Sequence, residues 1–385
     1  MNDKHQILDH LRSQQDDMIG LLKDLVLMET PSTEPDSQMQ IRSRLKAEFE
    51  AIDYRVKLIP GRSSGGHLYA SPGYRARRQP AQLMIGHCDT VWPIGTLQTM
   101  PLVYEEDTLR GPGVYDMKAG LVEMIYALRT IESLGLKPGV APLCFINSDE
   151  EIGSRESTRY VRALAQHVDR CMVLEPSLGH SGKIKTARKG VGRFTVTVQG
   201  KAAHAGLDPG AGASAILELS HVIQKLFELN DPEQGTSVNV GVIDGGIRPN
   251  MVAPESRAII DVRVQTQADA ERIEEAIHGL ETATPGVTLM IEGAIGRPPM
   301  ERTDENQRLW RVTQKLAVGL DMELEQGTAG GGSDGNTTSL YTATIDGMGA
   351  VGDGAHASHE YIYVELLPVR CALLTLLLLA PPLNP

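Results

Sequence analysis

Three short apolar runs, at residues 82–86, 143–147 and 171–174, recur with helical periods between them. In the period 117–134, Leu121, Met124, Ile125, Leu128 and Ile131 fall at helical spacing, and Gly135 follows as a natural C-cap. A more polar helical stretch occupies about 155–166. This alternation predicts an α/β domain whose mostly parallel sheet is sandwiched by helices. In such sheets, ligands gather just beyond the carboxyl ends of the strands.

The pattern changes near Lys189. Phe194, Val196 and Val198 alternate with Thr and Gln, as in a strand with one wet face. A helix over 213–229, strands near 238–243 and 258–264, a helix around 268–282 and a strand at 287–291 complete a β-α-β-β-α-β order. That order is ferredoxin-like. Residues 190–299 therefore read as an α+β lid domain inserted into a discontinuous domain of residues 1–189 and 300–385. The apolar run 371–380 is shorter than the roughly 20 residues a bilayer requires. It reads as a buried helix stopped by Pro381 and Pro382.

A chain of 385 residues with 41% apolar content can bury a sizeable core. Its formal charge of −12 argues against nucleic acid and anionic membrane as partners. The four cysteines show no Cys-x-x-Cys spacing, which fits a reducing compartment. The first twenty residues lack an apolar stretch, so no signal peptide is expected and a cytoplasmic location is.

Each apolar run ends in side chains able to bind metal. They are His87 with Asp89, then Glu150 and Glu151, then Glu175. Asp116 precedes the 117–134 helix, and His356 lies in a Gly-Asp-Gly-Ala-His segment. Taken singly, Asp116 could be a helix N-cap, the acidic triplet a solvated loop, and Glu175 a turn residue. Together the first four map to one rim of one sheet. That many carboxylates in one pocket would force some to protonate unless a cation neutralises them. With Asp116 as a bridge, the set divides into His87 and Glu175 for one ion, and Glu151 and His356 for another. Asp89 is placed to orient the His87 ring, leaving Glu150 as general base.

The motifs Gly-His-Cys-Asp-Thr-Val, Gly-Pro-Gly-Val-Tyr-Asp-Met-Lys-Ala-Gly, Asn-Ser-Asp-Glu-Glu-Ile-Gly-Ser and Leu-Glu-Pro resemble those of the bacterial glutamate carboxypeptidases. That family includes acetylornithine deacetylase, succinyl-diaminopimelate desuccinylase and aminoacylase. The likeness continues through Ala-Ala-His-Ala-Gly, Arg-Pro-Asn-Met-Val-Ala-Pro, Gly-Gly-Gly-Ser-Asp-Gly-Asn and Ala-His-Ala-Ser-His-Glu-Tyr. It implies two zinc ions per chain, with cobalt able to substitute, held by His87, Asp116, Glu151, Glu175 and His356. The spacing to Glu360 selects His356 over His359. The resemblance also implies a cis peptide between Asp116 and Met117, and a role for His204 at the oxyanion. Asn250, Arg263, Arg297, Gly332 and Ser333 match substrate-binding positions. The implied activity is release of a C-terminal amino acid from a small peptide by a homodimer paired through its lid. N-acyl-amino-acid deacylation is the alternative, and a non-catalytic binding homologue is a third reading that the intact residue set disfavours.

Overall fold

Each of the three apolar runs is a fully buried strand in the computed structural model, which describes residues 2–383 apart from 74, 77 and 78. Ala81–His87 lies between Ala141–Asn147 and Arg170–Val173 and is parallel to both. The sheet runs in the order Tyr54–Ile59, His67–Pro72, Ala141–Asn147, Ala81–His87, Arg170–Val173, Ala343–Ile345. The first two strands are antiparallel additions to a parallel group of four. Successive side chains enter different cores. Leu83 and Ile85 join Phe145, Val161 and Val173, while Met84 joins Cys144, Met172 and the larger cluster. Both faces are thus apolar, which explains why these strands read as continuous runs.

The helix expected over 117–134 spans Ala119–Ser133, with no side-chain cap at its start. Residues 114–118 form a wide turn in which Asp116 and Met117 have non-helical φ/ψ. Asp116 is therefore not an N-cap, and the Asp116–Met117 peptide is cis. The terminal apolar run lies in the helix Leu367–Leu379, buried on almost every side. Its last carbonyls, which lack helical donors, accept from the buried Arg170 and Gln82. Arg170 Nη2 reaches Leu377 at 3.1 Å and Ala380 at 2.7 Å, and Gln82 Nε2 reaches Leu378 at 2.7 Å. Among the described residues, no helix is long and apolar enough to cross a membrane.

The chain divides into two compact units. One comprises Met1–Ala187, Arg302–Ala329 and Ser333–Pro385; the other comprises Arg188–Glu301 with Gly330–Gly332. The second unit has an antiparallel sheet in the order Ser237–Gly245, Glu255–Val264, Gly190–Gln199, Thr288–Arg297. The hydroxyls of Ser214 and Thr266 cap the helices Ala215–Phe227 and Gln267–His278. Phe194, Val196, Val198, Leu219, Ile260 and Ile273 pack between helices and sheet.

Candidate metal centre

Because the three central strands are parallel, their carboxyl ends deliver His87, the Glu150–Glu151 turn and Glu175 to one rim. Gly86 lets the Asp116 turn pack against that rim. A Cβ there would lie 2.7 Å from Met117 Cε and 2.8 Å from Leu121 Cδ2. The Asp116 carboxylate faces two imidazoles, one per oxygen. His87 Nε2 lies 3.3 Å from Oδ1, and His356 Nε2 lies 3.4 Å from Oδ2. The same Nε2 of each ring also meets a second carboxylate, Glu175 at 3.5 Å from His87 and Glu151 at 3.0 Å from His356. His356 reaches this position from a left-handed backbone conformation, φ 63°, uncommon for a residue with a Cβ. His359 is exposed on the surface.

Most of these separations suit a shared cation better than hydrogen bonds. A tetrahedron with bonds of 2.0–2.1 Å has edges of about 3.3–3.4 Å. His87 Nε2, Asp116 Oδ1 and Glu151 Oε1 are moreover buried without hydrogen-bond partners. Two unit charges of like sign about 4 Å apart repel by about 4 kcal/mol at an effective dielectric near 20. Asp116 and Glu151 have donor oxygens within 4.8 Å of each other, as have Glu150 and Glu175, so the rim calls for positive charge, and the residues present fit a pair of metal ions. Glu150 borders the same set, with a carboxylate oxygen within 4.8 Å of donor atoms of His87 and Glu175.

Two further carboxylates hold the frame. Asp89 accepts from Ser32 Oγ at 2.6 Å, Glu150 N at 3.3 Å and Glu151 N at 3.2 Å. The His87 ring is oriented mainly by the backbone carbonyl of Asp89, 2.9 Å from Nδ1, with the Asp89 carboxylate at 3.4 Å. The orienting role expected of Asp89 is thus divided between its main chain and its side chain. Glu360, used in the sequence only as a spacing marker, is fully buried. It accepts from the N–H groups of Gly113, Tyr115 and Asp116 and from Trp92 Nε1, all at 2.9–3.0 Å. It thereby fixes the turn that presents Asp116.

The peptidase dimerisation domain family matches residues 186–282. The chain is similar to carboxypeptidase G2 of Pseudomonas sp. (strain RS-16), 24% identical over 369 residues, covering 93% of this chain and 87% of that protein. It is also similar to succinyl-diaminopimelate desuccinylase of Acinetobacter baylyi, 28% identical with coverage of 88% and 92%. Both relatives are M20 metallopeptidases. The chain is a metal-dependent hydrolase that carries a peptidase dimerisation domain and resembles M20 metallopeptidases along most of its length. Its fold matches that of aminopeptidase PepT from Bacillus cereus, with a TM-score of 0.77, 21% identity and coverage of 94% and 98%.

Without metal, the rim of this hydrolase holds the protons of its histidines tightly. The carboxylates of Asp116 and Glu151 raise His356 from its ordinary 6.5 to about 10. Burial alone would lower His87, but Asp116, Asp89 and Glu175 override it and raise it well above 6.5. Asp116 is held far below the usual carboxylate range by His356 and His87, although burial opposes this. Burial, then repulsion by Asp116, pushes Glu151 up to about 7. A histidine raised on folding contributes stability fully below its unfolded pKa, and loses it as pH rises through the folded value. In chelator-treated protein, the His356 contribution is therefore present below about 6.5 and lost toward about 10. Wild type should lose thermal stability over that window more steeply than His356→Gln. Parallel melting profiles would show that the His356 charge is not held. Metal affinity should rise over the same window, since the proton must leave first.

The remaining expected site residues fall mostly in the second unit. His204 is exposed, and its Nδ1 accepts from Gly206 N at 3.1 Å and Leu207 N at 3.2 Å. An accepting Nδ1 places the ring proton on Nε2, so the imidazole presents a donor. The Asn250 carbonyl accepts from Ala205 N at 3.1 Å, which sets Asn250 beside the His204 segment. Arg297 ends the strand Thr288–Arg297, paired with Val191. Arg263 spends its fork on Asp261, with Nε–Oδ1 at 2.8 Å and Nη2–Oδ2 at 3.0 Å. The Gly332 carbonyl accepts from Arg188 at 3.2 Å. Ser333, in the first unit, is fully buried; its hydroxyl donates to Asp346 and accepts from Gly335 N. Ser333 thereby caps the short helix Asp334–Thr338.

Proposed function

We propose that this chain hydrolyses an amide bond adjacent to a free carboxylate, releasing a C-terminal amino acid from a small peptide. The observation that carries this reading is the Asp116 carboxylate facing two imidazoles, with Glu150 alongside. His87, Glu175 and Asp116 would hold one zinc ion, and Asp116, Glu151 and His356 the other. Bound there, the ions supply Lewis acidity that polarises a carbonyl oxygen and acidifies water. Glu150 takes a proton from the attacking water and returns it to the leaving nitrogen, so that an amine and a carboxylic acid are released. His204, with its proton on Nε2, donates to the oxyanion, a contribution whose loss costs about 10²–10³ in rate.

Similarity to the desuccinylase favours a second reading, in which the same residues cleave an N-acyl amino acid. A panel of dipeptides and N-acyl amino acids, assayed after loading with zinc or cobalt, separates the two. Release of a C-terminal amino acid from peptides supports the first. Turnover of acyl substrates alone supports the second, and no turnover of either class overturns both.

We assign the substrate's α-carboxylate to Arg297, with Arg263 assisting it or reading a side-chain carboxylate, because a guanidinium fork donates two parallel hydrogen bonds to a carboxylate. Wild type should prefer a free acid strongly over its carboxamide, and Arg297→Lys much less. An unchanged preference would place carboxylate recognition elsewhere.

We further propose a homodimer paired through the second unit. The edge strand Ser237–Gly245 exposes Val242 and Ile243, and Ile216, Leu217, Phe227 and Ile247 are exposed in the same unit. Pairing would cover that open edge and its apolar side chains. If His204 acts in the partner's site, mixing His204→Ala with Glu150→Gln chains should restore part of the activity. No recovery after verified subunit exchange would place His204 in its own chain's site or outside the reaction.

A further inference from the structure

Resting on the reading that Glu150 and Glu151 work at the rim, we propose that Glu156 is a positioning residue. Its carboxylate, seated among the backbone N–H groups of residues 62–64, anchors the turn that carries those two glutamates.

The turn 149–157 has little regular structure to hold it. Glu150–Ile152 is one short helical turn, followed by left-handed residues at Gly153, φ 94°, and Ser154, φ 51°. Carboxylates support it from different sides. In front, Asp89 takes the N–H groups of Glu150 and Glu151. Behind, Asp149 Oδ2 takes those of Glu156 at 2.7 Å and Ser157 at 3.1 Å, closing the turn on itself. The rear of the turn meets the strand Ala141–Asn147 and the segment at Asp334 through two serines: Ser154 Oγ donates to Asp334 at 2.6 Å, and Ser157 Oγ accepts from Asn147 Nδ2 at 3.1 Å. The Glu156 side chain ties it to a third place, the loop at residues 61–66. Oε1 accepts from Arg62 N at 2.8 Å, and Oε2 accepts from Ser63 N and Ser64 N at 3.2 Å and Ser64 Oγ at 2.9 Å.

The loop that supplies these donors is shaped to do so. A Cβ at Gly61 would lie 2.1 Å from Ser64 O, and Gly66 is left-handed at φ 89°. Successive backbone N–H groups converging on one anion form a nest, and hydrogen bonds to an ionised acceptor are about twice as strong as neutral ones. Those N–H groups hold the Glu156 carboxyl below its ordinary value although burial opposes this. The same loop also braces the front of the turn. The buried Gln38 accepts from Gly65 N at 3.0 Å and donates to Ser148 O at 3.2 Å. Residues 61–66 thus grip the acidic turn at both ends, and Glu156 is the charged half of that grip.

The test uses the full chain with Glu156→Ala, which empties a carboxylate-shaped nest that formate can refill. In the metal-loaded protein, kcat should fall by about 10- to 100-fold, the range expected when reacting groups are displaced by a fraction of an ångström to an ångström. KM and metal content should stay near wild type. Formate should restore kcat in Glu156→Ala and not in Glu150→Gln. In metal-free protein, amide exchange should accelerate at residues 62–64 and also at 150–157, and formate should slow both. This second readout needs no substrate, so it survives failure of the hydrolase reading. Unchanged exchange at 150–157, or a kcat loss that formate does not restore, overturns the proposal. Should the alanine variant fail to fold, Glu156→Gln fills the nest with a neutral group. It should show a smaller kcat loss and faster exchange at 150–157, both insensitive to formate. Wild-type behaviour of that variant overturns the proposal equally.

Discussion

Glu150→Gln is expected to abolish turnover while leaving metal content and fold unchanged. The substitution keeps the size and shape of the side chain and removes only its capacity to take a proton. His87 and His356 already face Glu175, Asp116 and Glu151, so each ion has its protein donors without Glu150. The loss should be at least the roughly 10²–10⁴ that general-base catalysis contributes. Metal analysis beside steady-state kinetics decides it. Near-normal turnover in a metal-replete variant would move the base elsewhere. Loss of metal would instead make Glu150 a ligand, which its approach to His87 and Glu175 permits sterically.

The sheet and its rim were legible because a parallel strand covered on both faces leaves a local trace, an unbroken apolar run ending in a polar residue. His87, Glu151 and Glu175 each follow such a run. Asp116 and His356 leave weaker traces, since neither ends a strand, and the resemblance to known motifs contributed most there. Glu360 was invisible as a support. Its partners at 113–116 lie more than two hundred residues away, and nothing local distinguishes a carboxylate that binds backbone amides from one that faces water. Arg263 and Ser333 mark the same limit. Their local partners left no trace either: a neighbour two positions away on the strand pairs with the arginine, and a short helix start bonds the serine. Sequence spacing does not report such pairing. The start of the 119–133 helix was misplaced for a related reason, because the apolar period continues through Met117 although the backbone there is not helical.

Asp116→Ala should cost the protein both metal ions rather than one. Each Asp116 oxygen addresses a different histidine, at 3.3 and 3.4 Å, so one side chain serves two donor sets at once. Removing it leaves His87 with Glu175 and His356 with Glu151, two protein donors per ion where three are expected of a catalytic zinc site. It also removes the one negative charge common to both positions, the charge that most offsets repulsion between two cations about 3.5–4 Å apart. Elemental analysis after gel filtration should find about two ions per wild-type chain and almost none in the variant. Asp116→Asn refines the test, because an amide keeps one acceptor and turns the other position into a donor. It can complete the donor set of one histidine only, so one ion at most should survive, with turnover still lost. A single tightly held ion in fully active wild type, or an Asp116→Ala chain that retains one ion, would show that Asp116 belongs to one metal position and bridges nothing.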